Sequence, residues 1–170
     1  VNLLQCAFHG FVVVLLLLSS TQSHAGTRKL EIVGWVENAV LVGPDINLKA
    51  KLDTGAETSS LDAVIIKKFR LRGKRWVRFR ITDRQTGKEY TLVRERVRTT
   101  GVIQHDGRAQ IRPVVLMKLC IASRLLATEV SLIDRSEFNY PLLLGRNTLQ
   151  SFALVDPDNT FLSDPDCSGS

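Results

Sequence analysis

Apolar and polar residues alternate with a period of two along most of the chain. Ile46-Asn-Leu-Lys-Ala-Lys-Leu52 has this pattern, and so does Val77-Arg-Phe-Arg-Ile81. Val93, Glu95 and Val97 face one way while Arg94, Arg96 and Arg98 face the other. Pro113 to Cys120 is mostly apolar and reads as a central strand, and Ala127 to Ile133 alternates again. Turn signals separate these runs at Gly43-Pro44, Asp83 to Gly87, His105-Asp-Gly107 and Ala122-Ser-Arg124. Short strands at such spacing predict an all-β sandwich or barrel. Two stretches read as helical, Leu61 to Phe69 and Gly145 to Phe152, the second just before an apolar Ala153-Leu-Val155. There is no internal repeat.

Length and composition narrow this picture. The chain has 170 residues, 44% hydrophobic and 24% charged, with a net charge of +6. That suits one globular domain and excludes wholesale disorder. Val1 to Ala25 contains no Lys, Arg, Asp or Glu. An apolar run from Phe11 to Leu18 precedes Ser23-His24-Ala25, which places small residues where a cleavage site needs them. Although a basic start is missing, residues 1–25 read as a secretory signal peptide. The run is short for a bilayer core of roughly 30 Å, so stable membrane insertion after cleavage is not expected. The expected organisation is a domain over 26–160 and a flexible Ser/Asp/Pro-rich tail over 161–170, in a periplasmic or secreted protein. The processed chain keeps one histidine, His105, and two cysteines, Cys120 and Cys167. In an oxidising compartment the cysteines can pair, or one is a buried strand thiol and the other a tail thiol.

Few residues can do chemistry. The sharpest segment is Lys51-Leu-Asp-Thr-Gly-Ala-Glu-Thr-Ser-Ser-Leu61. An alternating strand runs straight into Asp53-Thr54-Gly55, where Gly permits a tight reversal and Thr54 can lock the loop through its hydroxyl. A carboxylate held at the end of a strand can act as general base to a water. Cleaving an amide requires a second carboxyl close by to supply the acid. Taken alone, these three letters also describe a plain turn. A second segment, Tyr140-Pro-Leu-Leu-Leu-Gly-Arg-Asn-Thr-Leu149, changes that balance. The two segments in this order resemble the retropepsin-like aspartic proteases, whose D-T-G-A loop is followed late in the chain by an apolar strand and Gly-Arg-Asn.

The resemblance is closer to a bacterial family within that group, labelled ATP-dependent zinc proteases and found beside RimK-type ligases. Gly34-Trp35, Lys49 to Leu61, Arg112-Pro113-Val114-Val115, Ser131 to Arg135 and Tyr140 to Arg146 carry it. The chain departs from the family at Asp62, where members commonly have His, so a metal role for that His does not apply. Zinc sites need three or four ligands and are typically rich in His. One histidine in the processed chain, no H-E-x-x-H and no phosphate-binding G-x-x-x-x-G-K-[ST] loop argue against the zinc and ATP parts of the label. No cofactor is expected.

The resemblance implies an all-β, closed, acid-protease-like barrel with one short C-terminal helix. Asp53, Thr54 and Gly55 would form the catalytic loop. Ala56 and Glu57 would contact substrate backbone, and Arg146 would hold Glu57. D-T-G occurs once, so a homodimer bringing two Asp53 carboxyls to a two-fold axis is the expected catalyst. The cleft would be covered by a hairpin, either Ile81 to Tyr90 or Gly101 to Gly107. Lys67, Lys68, Arg70, Arg72, Lys74, Arg75, Arg78 and Arg80 fall within fourteen residues. They would steer an acidic substrate or an anionic surface, or simply form a solvated strand face. Nucleic acid is not an expected partner, since no recognition helix or aromatic platform motif is present. The function read from the sequence is thus an exported aspartic endopeptidase acting on a peptide, an acidic one being attractive. Its rivals are a peptide-binding module without turnover and, less favoured, a zinc protease.

Overall fold

The computed structural model of the chain describes residues 30–103, 107 and 109–168. The expected leader, His105 and the tip of the second hairpin candidate lie outside the described residues. In chain order the elements are β1 (Glu31–Leu41), β2 (Ile46–Leu52), β3 (Ser59–Asp62), β4 (Val64–Leu71), β5 (Lys74–Thr82), β6 (Glu89–Ile103), β7 (Ala109–Ile121), β8 (Arg124–Ile133), β9 (Leu142–Leu144), α1 (Arg146–Leu149) and β10 (Ala153–Thr160).

Six of these strands close on themselves in the order β1-β2-β9-β3-β8-β7, with β7 returning to β1 through the pairs Ala39–Ile121 and Leu41–Leu119. Closure leaves the barrel itself no free edge. Its interior is filled by the alternating apolar positions, among them Ile46, Leu48, Ala50 and Leu52 of β2. β6, β5 and β4 continue outward from β7, and Val77, Phe79 and Ile81 of β5 still reach the same core. β10 lies parallel to β1 on the other side. The expected closed all-β barrel with a short late helix is the architecture found.

One expected helix is absent. Leu61 to Phe69 forms the end of β3 and most of β4. Val64, Ile65 and Ile66 are a β-branched run that suits a pleated surface better than a helix. Leu61 pairs with Leu142 and Ile65 with Phe79, so both find an apolar cross-strand neighbour. The other expected helix is present but shorter, Arg146–Leu149, because Ala153 already pairs with Glu31.

The end of the chain is tied to the barrel. Glu37 on β1 is fully buried, and its carboxylate accepts the N–H groups of Gly34 at 2.6 Å, Leu162 at 3.0 Å and Ser163 at 3.3 Å. Further along, Asp166 N–H donates to Ala122 O at 2.8 Å and Cys167 forms a disulfide with Cys120 of β7. The pairing that the sequence left open is therefore made. Replacing Glu37 by Ala would strand these donors away from water. We expect Glu37→Ala to lower unfolding free energy by about 2–4 kcal/mol, measured by urea denaturation. A change under about 0.5 kcal/mol, the range of an ordinary surface substitution, would contradict this clasp.

Candidate active site

The site forms where two distant segments meet. β2 runs parallel to β9, with Leu52 beside Leu144. This register carries the chain directly into Asp53, whose N–H donates to Leu144 O at 2.8 Å. The carboxylate then turns back on its own loop, as Oδ1 accepts Gly55 N–H at 3.0 Å and Ala56 N–H at 3.2 Å. On the other segment, Arg146 N–H donates to Ala56 O at 2.9 Å and Asn147 N–H to Glu57 O at 3.0 Å. Gly145 lies between them. A Cβ there would stand 2.8 Å from main-chain atoms of Glu57 and Thr58, so only glycine fits.

Side chains complete the lock. Arg146 Nη1 donates to Thr54 O at 2.9 Å and Gly55 O at 2.8 Å. Ser59 Oγ accepts Gly145 N–H at 3.1 Å and shares a hydrogen with Thr148 Oγ1 at 2.7 Å; Thr148 is also 2.6 Å from Thr128 Oγ1. The family resemblance implies that Arg146 holds Glu57. The structure gives the guanidinium to the loop carbonyls instead, and among the described residues no ion pair joins it to Glu57, whose side chain is exposed. Thr54, expected to lock the loop with its hydroxyl, is exposed and contributes its carbonyl. Asp53, Thr54, Gly55, Ala56 and Arg146 lie together at this crossing.

The charges around Asp53 were not foreseen. Lys51 Nζ is 3.4 Å from Asp53 Oδ2. The two residues are separated by one position on a strand, so they share a face. Beside them opens a cavity of about 400 Å³ walled by Trp35, Arg135, Phe138 and Tyr140. Arg135 is only 7% exposed. Its Nε donates to Tyr140 O at 3.1 Å and its Nη1 to Ser60 Oγ at 2.9 Å, while the guanidinium stacks 4.5 Å from the centre of the Phe138 ring. Among the described residues no carboxylate lies within 4.0 Å of it. Burial draws its pKa below the usual arginine range, and the negative charges of Asp62 and Asp53 partly oppose that. Arg135 ends the Ser131 to Arg135 motif that carries the resemblance, but only the fold shows that it returns beside Asp53.

Asp62 anchors the cavity wall. It accepts Arg135 N–H at 2.7 Å and Arg84 Nη2 at 2.5 Å. Arg84 also donates to Phe138 O and Arg135 O, both at 2.6 Å. Arg84 belongs to the first hairpin candidate, the β5–β6 turn. That turn is fastened to the loop after β8 by these contacts.

The sequence profile of a family described as RimB-like, retropepsin-like aspartic endopeptidase RimB, matches residues 32–166. A probable alpha-L-glutamate ligase of Parasynechococcus marenigrum is 33% identical over 137 residues, covering 79% of this chain and 29% of its own length. One of Shewanella pealeana is 31% identical over 116 residues, covering 67% of this chain and 25% of its own. The chain thus spans only about a quarter of the length of the curated relatives it matches. The crystal structure of Lpg0085 from Legionella pneumophila, described as of unknown function, superposes with a TM-score of 0.68 at 35% identity, covering 78% of this chain and 98% of that one.

Arg146→Ala removes two bonds to main-chain carbonyls. It should lower stability by about 1–2 kcal/mol, against less than about 0.5 kcal/mol for Arg72→Ala at a hairpin apex. Paired denaturation curves test this, and equal losses would show that Arg146 does not hold the loop.

Proposed function

The chain belongs to the RimB-like family of retropepsin-like aspartic endopeptidases, and we propose that it is itself an exported aspartic endopeptidase that works as a homodimer. One observation carries the reading: a strand delivers Asp53 into a turn that Arg146 and the Gly145 crossing hold in place. A single carboxylate of this kind is half of a catalyst. A two-fold contact would bring it against Asp53 of the partner subunit. At short range the two cannot both ionise cheaply, so they share one proton.

The chemistry then follows. The ionised member takes a proton from water as the water oxygen bonds to the scissile carbonyl carbon, and the protonated member stabilises the carbonyl oxygen. When the tetrahedral adduct collapses, the C–N bond breaks and the amine leaves with a proton from the pair. Lys51 and the buried Arg135 put two cations beside the reacting centre. A buried guanidinium with no carboxylate ion-pair partner among the described residues favours an anion in its cavity. An acidic peptide supplies one, and the description of curated relatives as glutamate ligases is consistent with such a substrate. Export is supported by the Cys120–Cys167 disulfide, a bond that persists in oxidising compartments, and by the apolar, uncharged first 25 residues.

The Lys51–Asp53 ion pair favours one other reading, a peptide-binding module in which Lys51 occupies the Asp53 carboxylate and no turnover occurs. Asp53→Asn separates the two. Under the catalytic reading it abolishes cleavage of an acidic peptide, by at least about 1000-fold, while leaving peptide binding measurable and chelators without effect on the unmodified protein. Undiminished cleavage by the variant would refute catalysis at Asp53. No cleavage by either protein, with binding retained, would establish the module.

Arg135→Met tests the acidic preference separately. It should lower kcat/KM for an acidic peptide by roughly 10–100-fold relative to a neutral one. An unchanged ratio would remove Arg135 from recognition.

A further inference from the structure

The outer ribbon carries a second concentration of charge. Cross-strand partners share a face, so the register sorts its residues. Ile65, Phe79 and Leu92 form one apolar row, and Ile81 with Tyr90 forms another. Moving along that same face toward the β4–β5 turn, the next rows are Lys68–Val77–Arg94 and then Arg70–Arg75. Arg96 follows Arg94 on the same side of β6. The face thus changes from core-forming to cationic within a few residues.

Lys68, Arg70, Arg75 and Arg96 line one open cavity of about 400 Å³, and among the described residues no carboxylate lines it with them. The nearby acids are engaged elsewhere: Glu95 pairs with Lys74 at 2.7 Å, and Glu129 with Arg98 at 2.6 Å. Arg70 stands directly opposite Arg75, a like-charge pairing that destabilises an antiparallel ribbon. Trp76 also walls this cavity, and its buried Nε1 has no acceptor among the described residues. At the apex, Arg72 and Gly73 form a two-residue turn with φ of 49° and 77°. Leu71 beside it is 53% exposed, and Ile66 and Val64 on the same outer strand are 51% and 47% exposed.

We propose that this ribbon tip is a docking site for an anionic lipid bilayer. Clustered Arg and Lys match phosphate headgroups, with the planar guanidinium able to bind phosphate in two-point fashion. The exposed Leu71, at the apex where the two faces meet, is set to enter the headgroup boundary, with Phe69 and Trp76 one row behind it on the face opposite the cationic rows. For an exported protein the anionic leaflet is the broad polyanion within reach, and in that respect the proposal rests on the export reading above. The vesicle readout itself is independent of cellular location and of peptidase activity.

The test compares vesicles of mixed phosphatidylglycerol and phosphatidylcholine with vesicles of phosphatidylcholine alone, using co-sedimentation of the full chain. The readout is the ratio of the two affinities, which the uncharged first 25 residues do not supply. The unmodified protein should prefer the anionic vesicles, and less so as salt rises. Arg70→Gln, Arg75→Gln and Arg96→Gln together should cut the preference by roughly 100-fold. If that variant fails to fold by circular dichroism, Leu71→Ser alone, at an exposed apex, should still weaken anionic-vesicle binding severalfold. Equal binding to both vesicle types, or binding unchanged by the variants, would overturn the proposal. So would a preference for RNA or polyglutamate over anionic vesicles in competition.

Discussion

Two stretches of main chain cross at Gly145 with no space for one methyl group between them. Much of the site follows from that contact. It lets Arg146 and Asn147 N–H groups bond the carbonyls after the Asp53 loop, and it places the Arg146 guanidinium over Thr54 and Gly55. The parallel β2–β9 pairing supplies the other half, since Asp53 N–H continues the register by bonding Leu144 O. A tight turn is thereby held from outside as well as by its own carboxylate. Such support lets a short loop on a small barrel present a carboxylate in a fixed orientation.

The charges around this loop are arranged to be completed by something else. Among the described residues Arg135 is buried without a carboxylate ion-pair partner, and Asp53 forms an ion pair with the part-exposed Lys51. Hydrogen bonds to Tyr140 O and Ser60 Oγ, and the Phe138 ring, moderate the cost of burying Arg135 without neutralising it. Asp62 and Arg84 hold the wall in place from behind. The cavity is thus a cationic recess next to a carboxylate loop. The ribbon tip repeats the theme on a larger scale, with several cations on one face and their nearest acids paired elsewhere.

The strands were legible because most have one buried face, and burial on one face writes a period of two into the sequence. The loop was legible for a different reason: Asp53-Thr54-Gly55 and Gly145-Arg146-Asn147 are contiguous motifs. Leu61 to Phe69 was misread because an apolar run of that length does not distinguish buried helix from strand, and its β-branched residues decided for strand. The Arg146 partner was misassigned because residue types alone favour a carboxylate over two carbonyls for a guanidinium. Lys51 and Arg135 sit inside motifs that carry the resemblance, but nothing in those motifs says that they face Asp53. Lys51 looks like one more outward lysine of an alternating strand, and Arg135 reaches Asp53 only after barrel closure brings the loop following β8 beside β2.

The central claim is that each active site needs Asp53 from two subunits. Mixing unmodified protein with Asp53→Asn protein, unfolded and refolded together so that subunits redistribute, measures it directly through peptidase activity at constant total protein. With equal amounts of each, a shared pair predicts about one quarter of the unmixed activity, because only dimers with two intact carboxyls turn over. Activity of about one half, in proportion to the intact chains, would mean that each subunit works alone and would contradict the shared pair.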